Sequence, residues 1–205
     1  MGDLVLAGST SGTVTLSPPA SAGTTTLTLP STSGNVLTSA SSLTASQLPT
    51  GSVLQIVQAT KTDTASYATT GAWVDLVGIS ASITPSSTSN KILVLVSISS
   101  GCSGANSPDT LVRLKRNSSV VTGAIGDASG SRALGSFGLN TWRSSYELGN
   151  ASFQYLDSPS STSSLTYGFD IKNGDTGYIN RTHDDANQSG GERGISVIIL
   201  MEIKG

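Results

Sequence analysis

From Met1 to Thr60 a single side chain, Asp3, carries a charge. The stretch is built from Ser, Thr, Gly, Ala and Pro with short apolar pairs between them, too little apolar surface to offset the entropy of ordering a chain by itself. It nevertheless alternates with period two in strand-sized pieces: Thr13-Val14-Thr15-Leu16, Thr26-Leu27-Thr28-Leu29 and Asn35-Val36-Leu37-Thr38. Gly12, Pro18-Pro19, Gly23, Pro30 and Gly34 punctuate them. An extended segment ordered by partner chains is the expectation. A further charge-poor stretch, Ser39 to Gly51, ends in Leu48-Pro49-Thr50-Gly51 and reads as a joint. The sequence therefore divides into an extended docking or stalk segment, 1–51, and a head domain, 52–205.

The head is predicted to be all-β. Ser52 to Thr60 opens it as a strand, and runs at 72–77 and 79–84 follow, with Gly78 as a bend between them. Lys91-Ile92-Leu93-Val94-Leu95-Val96-Ser97-Ile98 is almost continuously apolar and belongs at the centre of a sheet with both faces covered. Leu111 to Arg116 pairs with Ser119 to Gly123 through Asn117-Ser118, because Asn tolerates the left-handed backbone that a two-residue hairpin turn needs. Strands are expected at 151–157, 164–171 and 177–180. The run 194–203 places Ile195, Val197, Ile199, Met201 and Ile203 on one face and is expected to end the chain inside the core. About ten such strands fit an antiparallel β-sandwich, jelly-roll-like in order, with almost no helix. Trp73, inside a strand, is expected in the core.

Residues 12–30, with Ser17-Pro18-Pro19-Ala20 and Leu29-Pro30 framing the Thr-Leu-Thr alternation, together with Ser33-Gly34-Asn35-Val36-Leu37-Thr38, resemble a segment of fibre and appendage proteins of tailed bacteriophages. The similarity covers about a fifth of the chain and carries no chemistry. It implies a structural virion protein, trimeric, made in the host cytoplasm and anchored to other virion proteins through residues 1–51. The order of elements in the head is similar to the trimeric jelly-roll tips of phage fibres and of the complement and tumour-necrosis-factor families. A tail fibre whose head binds a host surface glycan or protein is the leading expectation. A capsid decoration or head fibre is the alternative, and a polysaccharide depolymerase a more distant one.

A net charge of −2 offers no general attraction to nucleic-acid phosphates or anionic lipid. No apolar run is long enough to cross a bilayer as a helix, and the N-terminus lacks the basic and apolar regions of a secretory signal. Cys102 has no second cysteine to pair with.

Catalytic groups are sparse. His183 lies in a polar loop beside Asp184 and Asp185, without a nucleophile motif. Asp184, Asp185 and Asn187 are hard donors but match no calcium-loop spacing. Asp127, Glu147, Asp157, Asp170 and Asp175 are scattered, with no motif pairing two of them for glycoside cleavage. The Gly-rich run 123–131 lacks the lysine and helix of a phosphate loop. The expectation is a non-enzymatic protein with no cofactor and no metal. Binding falls instead to two polar insertions, 127–149 and 180–193, which carry Trp142, Arg143, Tyr146, Arg181 and His183. Aromatics and arginines on loops anchor recognition and stack on sugar rings, although Trp142 and Tyr146 could instead pack between subunits.

Overall fold

The computed structural model describes residues 4–17, 19–21, 23–24, 26, 28, 31–33, 42–69, 71–102, 110–139, 146–174, 176–189 and 191–205. The chain forms two compact units, Met1–Ser42 and Leu43–Gly205.

In the first unit, β1 (Leu4–Ala7) and β2 (Thr13–Leu16) form an antiparallel hairpin whose register sets Leu4 opposite Leu16 and Leu6 opposite Val14. Gly12 closes the turn at φ +79°, a backbone that glycine adopts without strain. The pleat puts these four apolar side chains on one side of the ribbon. They are 57%, 51%, 52% and 62% exposed, respectively, and a lone two-stranded ribbon of this size is marginal in water. The predicted strand at 13–16 is present. The run 35–38 lies outside the described residues, and of 26–29 only Thr26 and Thr28 are described, neither in a strand.

The second unit is an antiparallel β-sandwich. Its strands are β3 (Val53–Lys61), β4 (Ala65–Ala68), β5 (Val74–Asp75), β6 (Ala81–Ile83), β7 (Lys91–Cys102), β8 (Thr110–Arg116), β9 (Ser119–Val120), β10 (Phe137–Leu139), β11 (Gly149–Asp157), β12 (Leu165–Lys172), β13 (Thr176–Ile179) and β14 (Ser196–Ile203). Two short 3₁₀ turns, Ala45–Gln47 and Thr122–Ala124, are the helical elements among the described residues.

Several of these strands are two halves of one lane. β13 and β14 lie along the same edge of β7, at Ser100–Cys102 and at Lys91–Ser97. β4 and β3 continue alongside them. In the second sheet β5 and β6 share one edge of β12, and β9 and β10 share one edge of β8. Joined in this way, the strands make eight lanes. The first sheet runs β3/β4, β14/β13, β7, β11; the second runs β5/β6, β12, β8, β9/β10. Consecutive lanes mostly cross between sheets, which is the double Greek key of a jelly roll. The sandwich expected from the sequence is thus found, with the strong run at 91–98 inside a sheet, but two expectations are corrected. Only the Ile92, Val94, Val96 and Ile98 face of that run is buried. The apolar face of 194–203 (Ile195, Val197, Ile199, Met201 and Ile203) lies on the half-buried outer side, the core taking Ile198 and Leu200 from the other.

Alternation places the core. Ile92, Val94, Val96 and Ile98 of β7 and Leu165, Tyr167, Phe169 and Ile171 of β12 are all buried in one core cluster between the sheets, each side chain stabilising the fold by about 1.5–3 kcal/mol. Phe137 bridges the sheets, stacked on Phe153 at 5.1 Å and edge-on to Phe169 at 6.1 Å. The hairpin turn at Asn117-Ser118 has both residues at positive φ, 49° and 65°, the mirror-image turn that suits strand twist. The predicted insertion 127–149 is less irregular than it reads, because Phe137–Leu139 pairs with β8. Its apolar run is only three residues long, too short for periodicity to reveal.

The two outer faces differ. On the second sheet, Arg113 donates to Asp170 through Nε (3.1 Å) and Nη2 (2.8 Å), and Lys115 bridges Asp170 and Asp75. Burial lowers the Lys115 ammonium, but its two carboxylate partners outweigh that and leave it above its ordinary range. Trp73 belongs to this surface ladder and not to the core: the Arg113 guanidinium lies over its ring at 4.1 Å. The short strand β5 begins one residue after Trp73, and pairing with the edge of β12 puts the indole beside the charged row.

Candidate functional site

The loops predicted to bind meet at one end of the sandwich. The lane β13/β14 is interrupted between Ile179 and Ser196, so residues 180–195 leave the sheet as an insert and return to it. Arg181 and Arg193 pair across its base. Asn180 pins that base. Its Nδ2 donates to Lys61 O (2.8 Å) and Asp63 O (2.9 Å), and its Oδ1 accepts from Ser196 Oγ (2.7 Å). It is fully buried at φ +60°, a conformation that Asn accepts more readily than most residues.

The insert folds down against β7 at Gly101. A side chain there would put its Cβ 2.5 Å from Arg181 O and 3.0 Å from Thr182 Cα, so glycine is what permits the contact. Tyr178, opposite Gly101 in the ladder, is the platform. The Arg181 guanidinium sits over its ring at 4.2 Å, and the His183 ring lies 5.2 Å away at 58°. Arg181 also donates to Thr182 O and His183 O. Both residues therefore shape the insert from within. His183 Nδ1 is buried and has no hydrogen-bond partner among the described residues.

Asp185 is engaged by Arg193 through a fork of bonds at 2.8–3.1 Å, which takes it out of any cation site. Among the described residues no three His, Cys, Asp or Glu side chains come together as metal ligands. Asp157 and Asp170, two of the scattered acids, are each tied to cations within the sandwich.

Tyr146 stands at the same end, three residues before β11, which meets β7 at Gly149 opposite Ser100. Tyr146, Glu147 and Leu148 line an open hollow of about 330 Å³ whose other wall is Glu192 of the insert. The structure thus joins Tyr146 to the 180–193 insertion, but through Glu192 in place of Arg181 or His183. Trp142 and Arg143 lie outside the described residues. Sequence reasoning missed Glu147 and Glu192 as partners because three whole strands, β11, β12 and β13, separate them along the chain. The hollow offers carboxylate acceptors beside a half-exposed aromatic ring, chemistry suited to hydroxyl-rich or cationic groups.

No protein-family model matches the chain, and a search of curated proteins finds no match.

Proposed function

We propose that this chain is a non-enzymatic structural protein of a tailed-phage particle, a homotrimeric fibre anchored through residues 1–51 and adsorbing to the host surface through its head. The observation that carries the reading is the contrast between the two units. The hairpin β1–β2 exposes Leu4, Leu6, Val14 and Leu16 on one side and needs a surface to cover it. The jelly roll has its own core and displays the Tyr146–Glu192 hollow on pinned loops. A segment that must be covered, joined to a head that needs no cover for its core, is the division of labour between anchoring and attachment. The phage-like run at residues 12–38 supports the same assignment.

Immunogold labelling of intact particles with antibody against the head tests it. Gold at the tail supports host adsorption. Gold over the shell moves the protein to the capsid, and unlabelled particles overturn the virion assignment.

A further inference from the structure

The chain enters the sandwich at one end and carries the Tyr146–Glu192 hollow at the other. Ladder register fixes this: Ile203 lies opposite Lys91 at the start of β7, and Gly149 lies opposite Ser100 near its finish. At the entry, Gly51 N donates to Lys204 O (2.8 Å) and Lys204 N donates to Ser52 O (2.9 Å). These bonds continue the β3–β14 ladder past its last pair, Val53 with Ile203. The Lys204 ammonium reaches further back and donates to Ser46 O (3.1 Å) and Leu48 O. Residues 46–52 are thus fastened to the end of β14 before the chain becomes β3.

At the other end, both walls of the hollow lead directly into strands. Leu148 immediately precedes β11, and Glu192 leads through Ile195 into β14. Both strands run from the hollow towards the entry, whereas β3 runs from the entry towards the hollow. Tension between residues 43–52 and the hollow therefore acts along the strands, drawing β3 one way and β14 the other. The hydrogen bonds of an antiparallel pair lie across the strands. Such a pull loads together every bond between Val53 with Ile203 and Lys61 with Ser196, spread over roughly 23 Å at ~3.3 Å per residue. A pull across one end would break the same bonds one after another. Outward-facing side chains reinforce the pair, with Ile56 beside Met201, Gln58 beside Ile199 and Thr60 beside Val197, none of them charged. On its other side β14 is paired with β7, so β3 is the strand that must slide.

We infer that the head is a load-bearing unit in which β3 and β14 form a shear clamp, carrying tension from the anchoring segment to the hollow. The inference rests on the reading above for what lies at each end of the clamp; the mechanics belong to the head alone. Lys204 is the fastener that passes load from the incoming chain to β14 before β3 feels it.

Force spectroscopy on the full chain tests this. Handles on L43C and I195C in a C102S background, at positions 55% and 53% exposed, pull along β3 and β14. Handles on L43C and K91C in the same background pull across the entry end, where Lys91 is exposed opposite Ile203. At one loading rate, the unfolding force should be at least about twofold higher in the first geometry, since forced unfolding follows the barrier along the direction of pull. K204M, which keeps the side-chain stem but removes the bonds to Ser46 and Leu48, should release residues 46–50 in a separate extension at lower force before the main rupture. Equal forces in the two geometries overturn the inference, and so does a K204M trace indistinguishable from its parent. Neither particle nor ligand enters the measurement. A twofold ratio therefore stands even if Tyr146 and Glu192 prove not to bind host cells, and equal forces leave the attachment reading untouched.

Discussion

The backbone amide of Ser86 donates to Glu202 Oε1 at 2.6 Å, tying the turn before β7 to the neighbouring strand β14. Ser86 Oγ and Asn90 Nδ2 reach the same oxygen at 2.8 and 2.6 Å, and Gln55 Nε2 reaches the other at 2.6 Å. Burial alone would raise this carboxyl, but the bonds from Gln55, Asn90 and Ser86 outweigh it and hold the group below its ordinary value of 4.5. Glu202→Ala strands several buried donors and should cost about 2–4 kcal/mol in urea unfolding.

The same carboxylate sets an acid limb. Because its folded value lies below 4.5, its contribution is complete above that pH and is lost as pH falls through the folded value. Urea midpoints of the wild type should therefore decline below pH 4.5, and Glu202→Gln should flatten part of the decline. Asp75, lowered by its bond to Lys115, supplies a smaller share. An identical acid slope in Glu202→Gln would refute the assignment.

Asn180→Ala removes the bonds to Lys61, Asp63 and Ser196 and puts a side chain ill suited to φ +60° at the base of the insert. The expected loss is about 2–4 kcal/mol. Hydrogen exchange at residues 181–189 should accelerate more than in β7 or β12, since the insert opens before the sheets do. Gly101→Ala should produce the same local signature through the clash with Arg181 O.

Tyr167 is fully buried and its hydroxyl donates to Asp157 Oδ2 at 2.6 Å, where Arg116 also binds. Tyr167→Phe keeps the ring packing and the ion pair. Thermal unfolding should reveal a loss of only about 1–2 kcal/mol. Asp157→Ala, which leaves Arg116 and Tyr167 without their shared acceptor, should cost at least twice as much.

If the hollow between Tyr146 and Glu192 is the attachment surface, Tyr146→Ala combined with Glu192→Gln should weaken binding of the purified protein to host cells at least tenfold. The melting temperature should stay within a few degrees, because both positions are exposed. Full binding by this variant would move the attachment surface elsewhere on the head.

Much of the fold is written in local pattern. The near-continuous apolar run at 91–98 and the alternation at 194–203 specify strands, and Asn117-Ser118 specifies a tight turn, because both properties depend only on neighbouring residues. Short elements such as Phe137–Leu139 carry too few residues for any period to show. The candidate site was half legible: the polar insertions at 127–149 and 180–193 advertise loops, but nothing local says that Tyr146 and Glu192 share a hollow while Arg181 and His183 turn inward onto Tyr178.

By itself, then, the sequence determined that the head would be β-structure, which residues alternate along each strand, and that residues 1–60 are nearly without charge. Tertiary structure decided which lanes are neighbours, that Trp73 lies under Arg113 at the surface, and that one outer face is charged and the other bare. It also decided where Glu202 finds Asn90, 112 residues away. The division is physical. Side-chain direction repeats every two residues along a strand, whereas adjacency is settled by long-range pairing of strands, which no short window of sequence contains.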